Sequence, residues 1–158
     1  DFDMCRFLLG EVEEIYAVGA VMVDSKIGEA GDIDTARITL KFENGVIGSI
    51  ENSRQAVYGY DQRVEVFGNK GAASSGNWYP NQVTISNDTS VQRDLPLNFF
   101  MERYIDSYAN EMIAFVDAVV NDKPVPVVGN DGRVPVVMAK AGMLSMKENR
   151  PVKLSEIS

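Results

Sequence analysis

A single strand-turn-strand segment restricts the fold of this chain more than any other. From Thr35 to Phe42 the residues alternate, with Ala36, Ile38, Leu40 and Phe42 on one face and Thr35, Arg37, Thr39 and Lys41 on the other. That period of two is the pattern of a half-buried antiparallel strand. Asn44-Gly45 then reverses the chain, and two loop lengths predict different pairings. A two-residue loop sets Phe42 opposite Ile47 and puts Ser49 and Glu51 on the apolar face. A three-residue loop, Glu43 to Gly45 with Gly45 left-handed in a bulge, pairs Phe42 with Val46, Leu40 with Gly48 and Ile38 with Ile50, and sets Arg37 across from Glu51. A slip of one residue flips every side chain. Only the second register keeps the apolar set together, so it is the one predicted, and it carries Asn52 onto the apolar side.

The rest of the chain supplies partners for that hairpin. Phe2, Cys5, Phe7, Leu8 and Leu9 form a broad helical stripe ending at Gly10, a helix already running at residue 2, which predicts a natural chain extending further towards the N-terminus. Val12 to Asp24 reads as a long strand and SKIGEAGDID as a loop. RVEVFG, AASSG and QVTIS are short strands, and TSVQRDLPL is an edge strand because Pro96 cannot donate to a central ladder. From about Asn98 to Val120, Met101, Tyr104, Ile105, Tyr108, Met112, Phe115, Val116 and Val119 recur at helical spacing, predicting a helix with one side on a sheet. A second helix begins at Asn130 or Asp131, tolerates Pro135 and carries Val137, Met138, Ala141 and Leu144 on its stripe. Pro151 stops it before a short strand at Val152 to Leu154. Strands followed by segregated helices predict one α+β domain over residues 1–158, a predominantly antiparallel open sheet with helices on one face and the other face open.

Lys plus Arg number 15 against 23 Asp plus Glu, a net charge of −8, which opposes binding to nucleic acid or to anionic membranes. No apolar run reaches the ~18 residues of a membrane helix. With one cysteine, no histidine and therefore few zinc ligands, no metal site is expected. Cys5 in an apolar helix pattern reads as a structural thiol of a reducing cytoplasm.

Between the strands IGSIE and VEVFG lies NSRQAVYGYDQR, Asn52 to Arg63, where alternation stops. It places two arginines, two glutamines, an aspartate and two tyrosines around a glycine. Such a set suits a surface that hydrogen-bonds a small polar ligand; a solvated connection between strands is the plainer reading. Trp78 and Tyr79 beside Pro80 could stack on a sugar, although packing under a loop is the commoner use.

Five segments taken in order, DFDMCRFLLG, GEAGDIDTA, NSRQAVYGYDQRVEVFG, ERYIDSYANEMIAFVDAVV and NDGRVPVVMAKAGMLSMKENRPV, resemble the C-terminal domain of the glucose-fructose oxidoreductase and inositol dehydrogenase (Gfo/Idh/MocA) family, nearest its inositol 2-dehydrogenase branch. The resemblance implies the substrate-binding domain of an NAD(P)-dependent oxidoreductase acting on the CH-OH group of inositol or a related polyol. It also implies NAD or NADP held by an N-terminal domain, and a cytoplasmic homodimer or homotetramer formed through the sheet face. The family's acid-base histidine and its partner aspartate fall immediately before Asp1, so no catalytic residue and no cofactor site is expected within this chain, which alone is expected to be inactive. Asp3, three positions after that histidine and on the same helix face, is the expected acceptor for vicinal hydroxyls. Tyr58 is carried over as a substrate contact, with Tyr60, Asp61 and Arg63 as weaker candidates, Asp61 and Arg63 being equally able to pair with each other. Tyr104 could reach the pocket, but its stripe position favours packing. The alternative is a non-catalytic oligomerisation module of the same fold with a vestigial pocket.

Overall fold

The computed structural model describes residues 1–157. In chain order its elements are α1 (Phe2–Leu9), β1 (Val12–Ala20), α2 (Ser25–Glu29), β2 (Thr35–Phe42), β3 (Ile47–Ser53), β4 (Val64–Gly68) and β5 (Gly71–Ser75). There follow β6 (Thr84–Ser86), β7 (Val91–Arg93), α3 (Phe100–Val120), α4 (Gly129–Glu148), β8 (Val152–Lys153) and a 3-10 turn at Leu154–Glu156. The fold is α+β. The chain divides into two compact units, residues 1–55 together with the chain from Val127 onward, and Ala56–Pro126.

In the first unit four strands form an antiparallel sheet in the order β3-β2-β1-β8. The hairpin takes the register that keeps its apolar set together: Arg37 faces Glu51, Ile38 faces Ile50 and Leu40 faces Gly48. Gly45 has φ +83°, the Phe42 N–H donates to the Val46 carbonyl at 2.9 Å, and Arg37 closes on Glu51 at 2.7 Å. Strand β1 adds a bulge, since Val12 pairs with Phe42 while Glu14 pairs with Lys41. The extra residue lets Val12 and Ile15, three apart, point to the same face. It also lets the Glu13 carboxylate take Lys41 at 3.1 Å and Lys153 at 3.2 Å from the strands on either side.

The buried face carries Ile15, Ala17, Ile38, Leu40, Phe42, Ile50 and Val152 against Met138 and Ala141 of α4. Phe2, Cys5 and Leu9 of α1 pack on this core. Phe7 and Leu8, placed on the same stripe by the sequence reading, are exposed, because a short helix on a flat core buries only the narrow row at three- and four-residue spacing. The opposite face of the sheet, with Val18, Arg37, Thr39, Lys41, Ile47 and Ser49, is exposed.

Strand β1 stops at Ala20, short of the predicted Asp24, because the next amides turn onto a carboxylate. Met22, Val23 and Asp24 donate their N–H groups to Asp34 at 2.7, 2.8 and 3.0 Å, and the Thr35 hydroxyl adds a fourth bond at 2.9 Å. Burial alone would raise the Asp34 pKa; the three amides and the hydroxyl outweigh it and hold the group at about 2, below its ordinary 3.8. The predicted loop over residues 25–34 contains α2, a five-residue helix whose N-cap Asp24 accepts the Lys26 N–H at 3.0 Å. So short a helix has no apolar period to detect.

Helix α4 starts at Gly129, with Val128 as N-cap in place of the expected Asn130 or Asp131, and the Val128 N–H is satisfied by the Asp131 carboxylate at 2.8 Å. Ser145, on its buried face, accepts the Ala17 N–H at 3.0 Å and donates to the Arg150 carbonyl at 2.6 Å. Strand β8 is too short to reach Ala17, so the serine supplies the missing ladder partner.

In the second unit β4 and β5 form one hairpin and β6 and β7 another. These two-stranded sheets are separate from the four-stranded one, where the sequence reading drew a single sheet. Strand β5 is Gly-Ala-Ala-Ser-Ser and β6 and β7 have three residues each, too little β-branched surface to extend a wide sheet. Helix α3, predicted from about Asn98, runs from Phe100 to Val120, but its stripe is not buried on a sheet: Ile105 is 65 % exposed, Met112 59 % and Val119 63 %.

Replacing Ser145 by Ala should lower the unfolding free energy by about 1–3 kcal/mol, the cost of a buried amide left without a partner, as read by urea denaturation. Asp34 contributes stability above its ordinary pKa of 3.8, and this is lost as pH falls towards about 2. The denaturation midpoint should therefore fall over that interval, and Asp34→Asn should lower the midpoint at neutral pH while flattening the acid limb.

Candidate substrate site

The polar stretch after β3 is an ordered loop. The Arg54 N–H donates to the Asp34 carbonyl at 2.8 Å, and Asn52, on the core-facing side as its register requires, donates to the Asp1 carboxylate at 2.8 Å. Further on, in the second unit, the loop turns at Gly59 with φ +133°, and a Cβ there would lie 2.7 Å from the Pro96 carbonyl oxygen. Only glycine allows that approach. It permits the Tyr60 N–H to reach the Leu97 carbonyl at 2.8 Å, which fixes the tyrosines on either side of the glycine.

Asp61 is the centre of this loop. Arg63 grips it with Nε on Oδ1 at 2.7 Å and Nη2 on Oδ2 at 2.9 Å. Asn77 donates to Oδ1 at 2.7 Å, and the Tyr58 hydroxyl donates to Oδ2. Asn77 in turn accepts the Gln62 N–H at 2.8 Å. The guanidinium, ahead of the other donors, holds the Asp61 carboxyl far below the ordinary carboxylate range, and the carboxylate in turn raises the Tyr58 phenol above its ordinary value. The Asp61–Arg63 ion pair weighed from sequence is thus present. Tyr58 is exposed, and its hydroxyl oxygen retains lone pairs to offer.

Tyr60 meets Tyr104 edge to face at 5.9 Å. The Tyr104 hydroxyl donates to Gln62, and burial followed by Tyr60 pushes its pKa up to about 12. Tyr104 therefore ties α3 to the loop instead of sitting in an apolar core. Trp78 does not offer both faces to a ligand, because the Arg103 guanidinium lies 4.7 Å from its ring centroid. Asn77, which the sequence marks only as the head of the turn before Trp78, joins the site through Asp61 without any signal in its residue type.

In the first unit Asp3 lies on α1, exposed, with Oδ1 accepting from Arg6 Nη1 at 3.2 Å. Arg6 is itself largely buried and bonded to both oxygens of Glu11, at 3.0 and 2.8 Å. Its Nη1 also reaches the Asp131 carbonyl at 3.5 Å. That carbonyl is free because Pro135, four residues on in α4, has no N–H to give it. Asp3 is thus oriented through Arg6, with Oδ2 outside the ion pair. A cavity of about 290 Å³ opens beside Asp34, Asn52 and Arg54, but the Asp34 carboxylate there is already taken by four donors. Among the described residues no cluster of three or more His, Cys, Asp or Glu could hold a metal, and no helix is long and apolar enough to cross a membrane.

Residues 1–154 match the model of an oxidoreductase family's C-terminal alpha/beta domain. The chain is 46 % identical over 158 residues to the myo-inositol 2-dehydrogenase of Thermotoga maritima, covering 99 % of this chain and 47 % of that protein. Among solved structures, a probable dehydrogenase from Thermotoga maritima superposes with a TM-score of 0.97 at 45 % identity, over 100 % of this chain and 48 % of that one. A scyllo-inositol dehydrogenase from Lactobacillus casei, solved with NAD(H) and scyllo-inositol, superposes with a TM-score of 0.89 at 25 % identity, over 98 % of this chain and 46 % of that one. The chain spans about half the length of the relatives it matches. It belongs to the glucose-fructose oxidoreductase and inositol dehydrogenase family, as a C-terminal alpha/beta domain of that family's oxidoreductases.

Proposed function

We propose that the chain is the substrate-binding and oligomerisation domain of an NAD(P)-dependent dehydrogenase that oxidises a CH-OH group of inositol or a related polyol. The observation that carries the reading is the loop around Tyr58: an exposed phenol, locked by Asp61, Arg63 and Asn77, is a rigid hydrogen-bonding point for a hydroxylated ring. Tyr60 and Arg63 are proposed as further contacts, Arg63 through Nη1, which lies outside its pair with Asp61. Asp3 is proposed as an acceptor of polyol hydroxyls through Oδ2. Names of the relatives support inositols as the substrate class and NAD as the cofactor. The dinucleotide domain and the acid-base residues are assigned to the part of the full-length protein outside residues 1–158, with the cytoplasm as its location.

The exposed face of the four-stranded sheet supports a homodimer or homotetramer. Ile47 is 77 % and Val18 53 % exposed on it among threonine, serine and paired charges, an apolar-in-polar mixture typical of an interface.

In the full-length protein, NAD reduction with myo- and scyllo-inositol tests the activity. Tyr58→Phe should raise KM for the preferred inositol about tenfold, the worth of one hydrogen bond to a site built for a hydroxyl, with a smaller change in kcat. Absence of polyol-dependent NAD or NADP reduction would refute the assignment. Ile47→Glu should shift the sedimentation coefficient of the full-length protein towards the monomer; an unchanged oligomer removes the sheet face as the interface.

A further inference from the structure

We infer that Asp61 is a positioning residue that commits the Tyr58 hydroxyl proton inward, so that Tyr58 presents only acceptor lone pairs to the ligand and recognises a hydroxyl that donates. The inference rests on the polyol reading of this loop and adds the polarity of its central contact. Asp61 has two oxygens and four donors: Arg63 Nε and Asn77 Nδ2 on Oδ1, Arg63 Nη2 and the Tyr58 hydroxyl on Oδ2. Arg63, which cannot lose its charge, keeps the carboxylate ionised, and an ionised carboxylate can only accept. The phenol therefore has to donate to it. A phenol has one proton, so what remains for a ligand is the oxygen. The Gly59 turn, closed on the Pro96 carbonyl, leaves the loop little freedom to turn Tyr58 elsewhere. The ligand class this selects is a ring bearing a hydroxyl free to donate; an ether, a ketone or a fluorine at the same position offers Tyr58 nothing.

Two measurements test this. In the chain itself, with tyrosine labelled at Cζ and the Tyr58 resonance assigned by its loss in Tyr58→Phe, Tyr58 should titrate above the ordinary 10.0 and return towards it in Asp61→Asn, which leaves one acceptor oxygen for four donors. In the full-length dehydrogenase, KM and kcat are measured for an inositol and for its monodeoxy-monofluoro analogues. At one ring position fluorine should raise KM about tenfold. That penalty should shrink to near unity in both Tyr58→Phe and Asp61→Asn, with kcat for the parent inositol changed less than KM. In the Tyr58→Phe background Asp61→Asn should leave the fluorine-to-inositol KM ratio unchanged, any change there in KM for the parent inositol reading the Arg63 contact that Asp61 also holds. Asp61→Glu, which keeps the charge, should restore part of the fluorine penalty and serves if the Asn variant is poorly folded. An ordinary Tyr58 titration, or a fluorine penalty independent of Asp61, overturns the inference and leaves polyol oxidation standing. Failure of the full-length protein to oxidise any polyol overturns both.

Discussion

Four hydrogen-bond donors converge on the carboxylate of Asp34, and much of the first unit is arranged around that convergence. The three amides of Met22, Val23 and Asp24 end β1, the Thr35 hydroxyl marks the start of β2, and the Asp34 backbone holds Ala20 on one side and Arg54 on the other. One residue thus terminates three strands at the same level. An anionic oxygen inside a protein is tolerable only when donors replace its lost water, and here those donors are backbone groups that would otherwise be orphaned where the sheet stops.

The chain carries an excess of acid, and the acids differ in what they have left. Asp34 and Asp61 each receive four donors, and Glu11 gives both oxygens to Arg6. The capacity of the two aspartates is used up by the fold, and Glu11 has both of its oxygens engaged by one guanidinium. Asp3 receives one bond and stays exposed. A carboxylate saturated from within is scaffold, and one held by a single oxygen has capacity left for a ligand. That contrast, more than position in the sequence, separates the proposed ligand-facing acid from the acids that hold the fold.

Much of this was legible beforehand, and the failures have physical causes. The Thr35–Glu51 register could be derived because a wrong register buries Ser49 and Glu51, an error large enough to decide between two loops. Helix α3 was legible as a helix because periodicity is a property of the segment, but its exposure was not, because burial depends on what lies outside the segment. Helix α2 lacked the length to show a period, and the bulge at Glu13 became visible only through pairing. In the candidate site the polar loop and the Asp61–Arg63 pair could be read from residue types, whereas the role proposed for Tyr58 came with the family resemblance. Asn77 could not, since its contact with Asp61 spans 16 residues and leaves no local signature, and the role of Ser145 depends on where β8 ends.

Pro135 shows how a defect in one element can become a fixture of another. A proline inside a helix ordinarily removes a bond worth having and strains the turn before it. In α4 the carbonyl so released, at Asp131, is the one that the Arg6 guanidinium reaches from α1. A residue with an amide hydrogen at position 135 would mend the helix and, in the same stroke, give Arg6 a rival for that oxygen. The same guanidinium lies 3.7 Å from the Asp131 carboxylate, so α4 offers it a side chain and, through the imperfection, a backbone oxygen that a regular helix would keep for its own ladder.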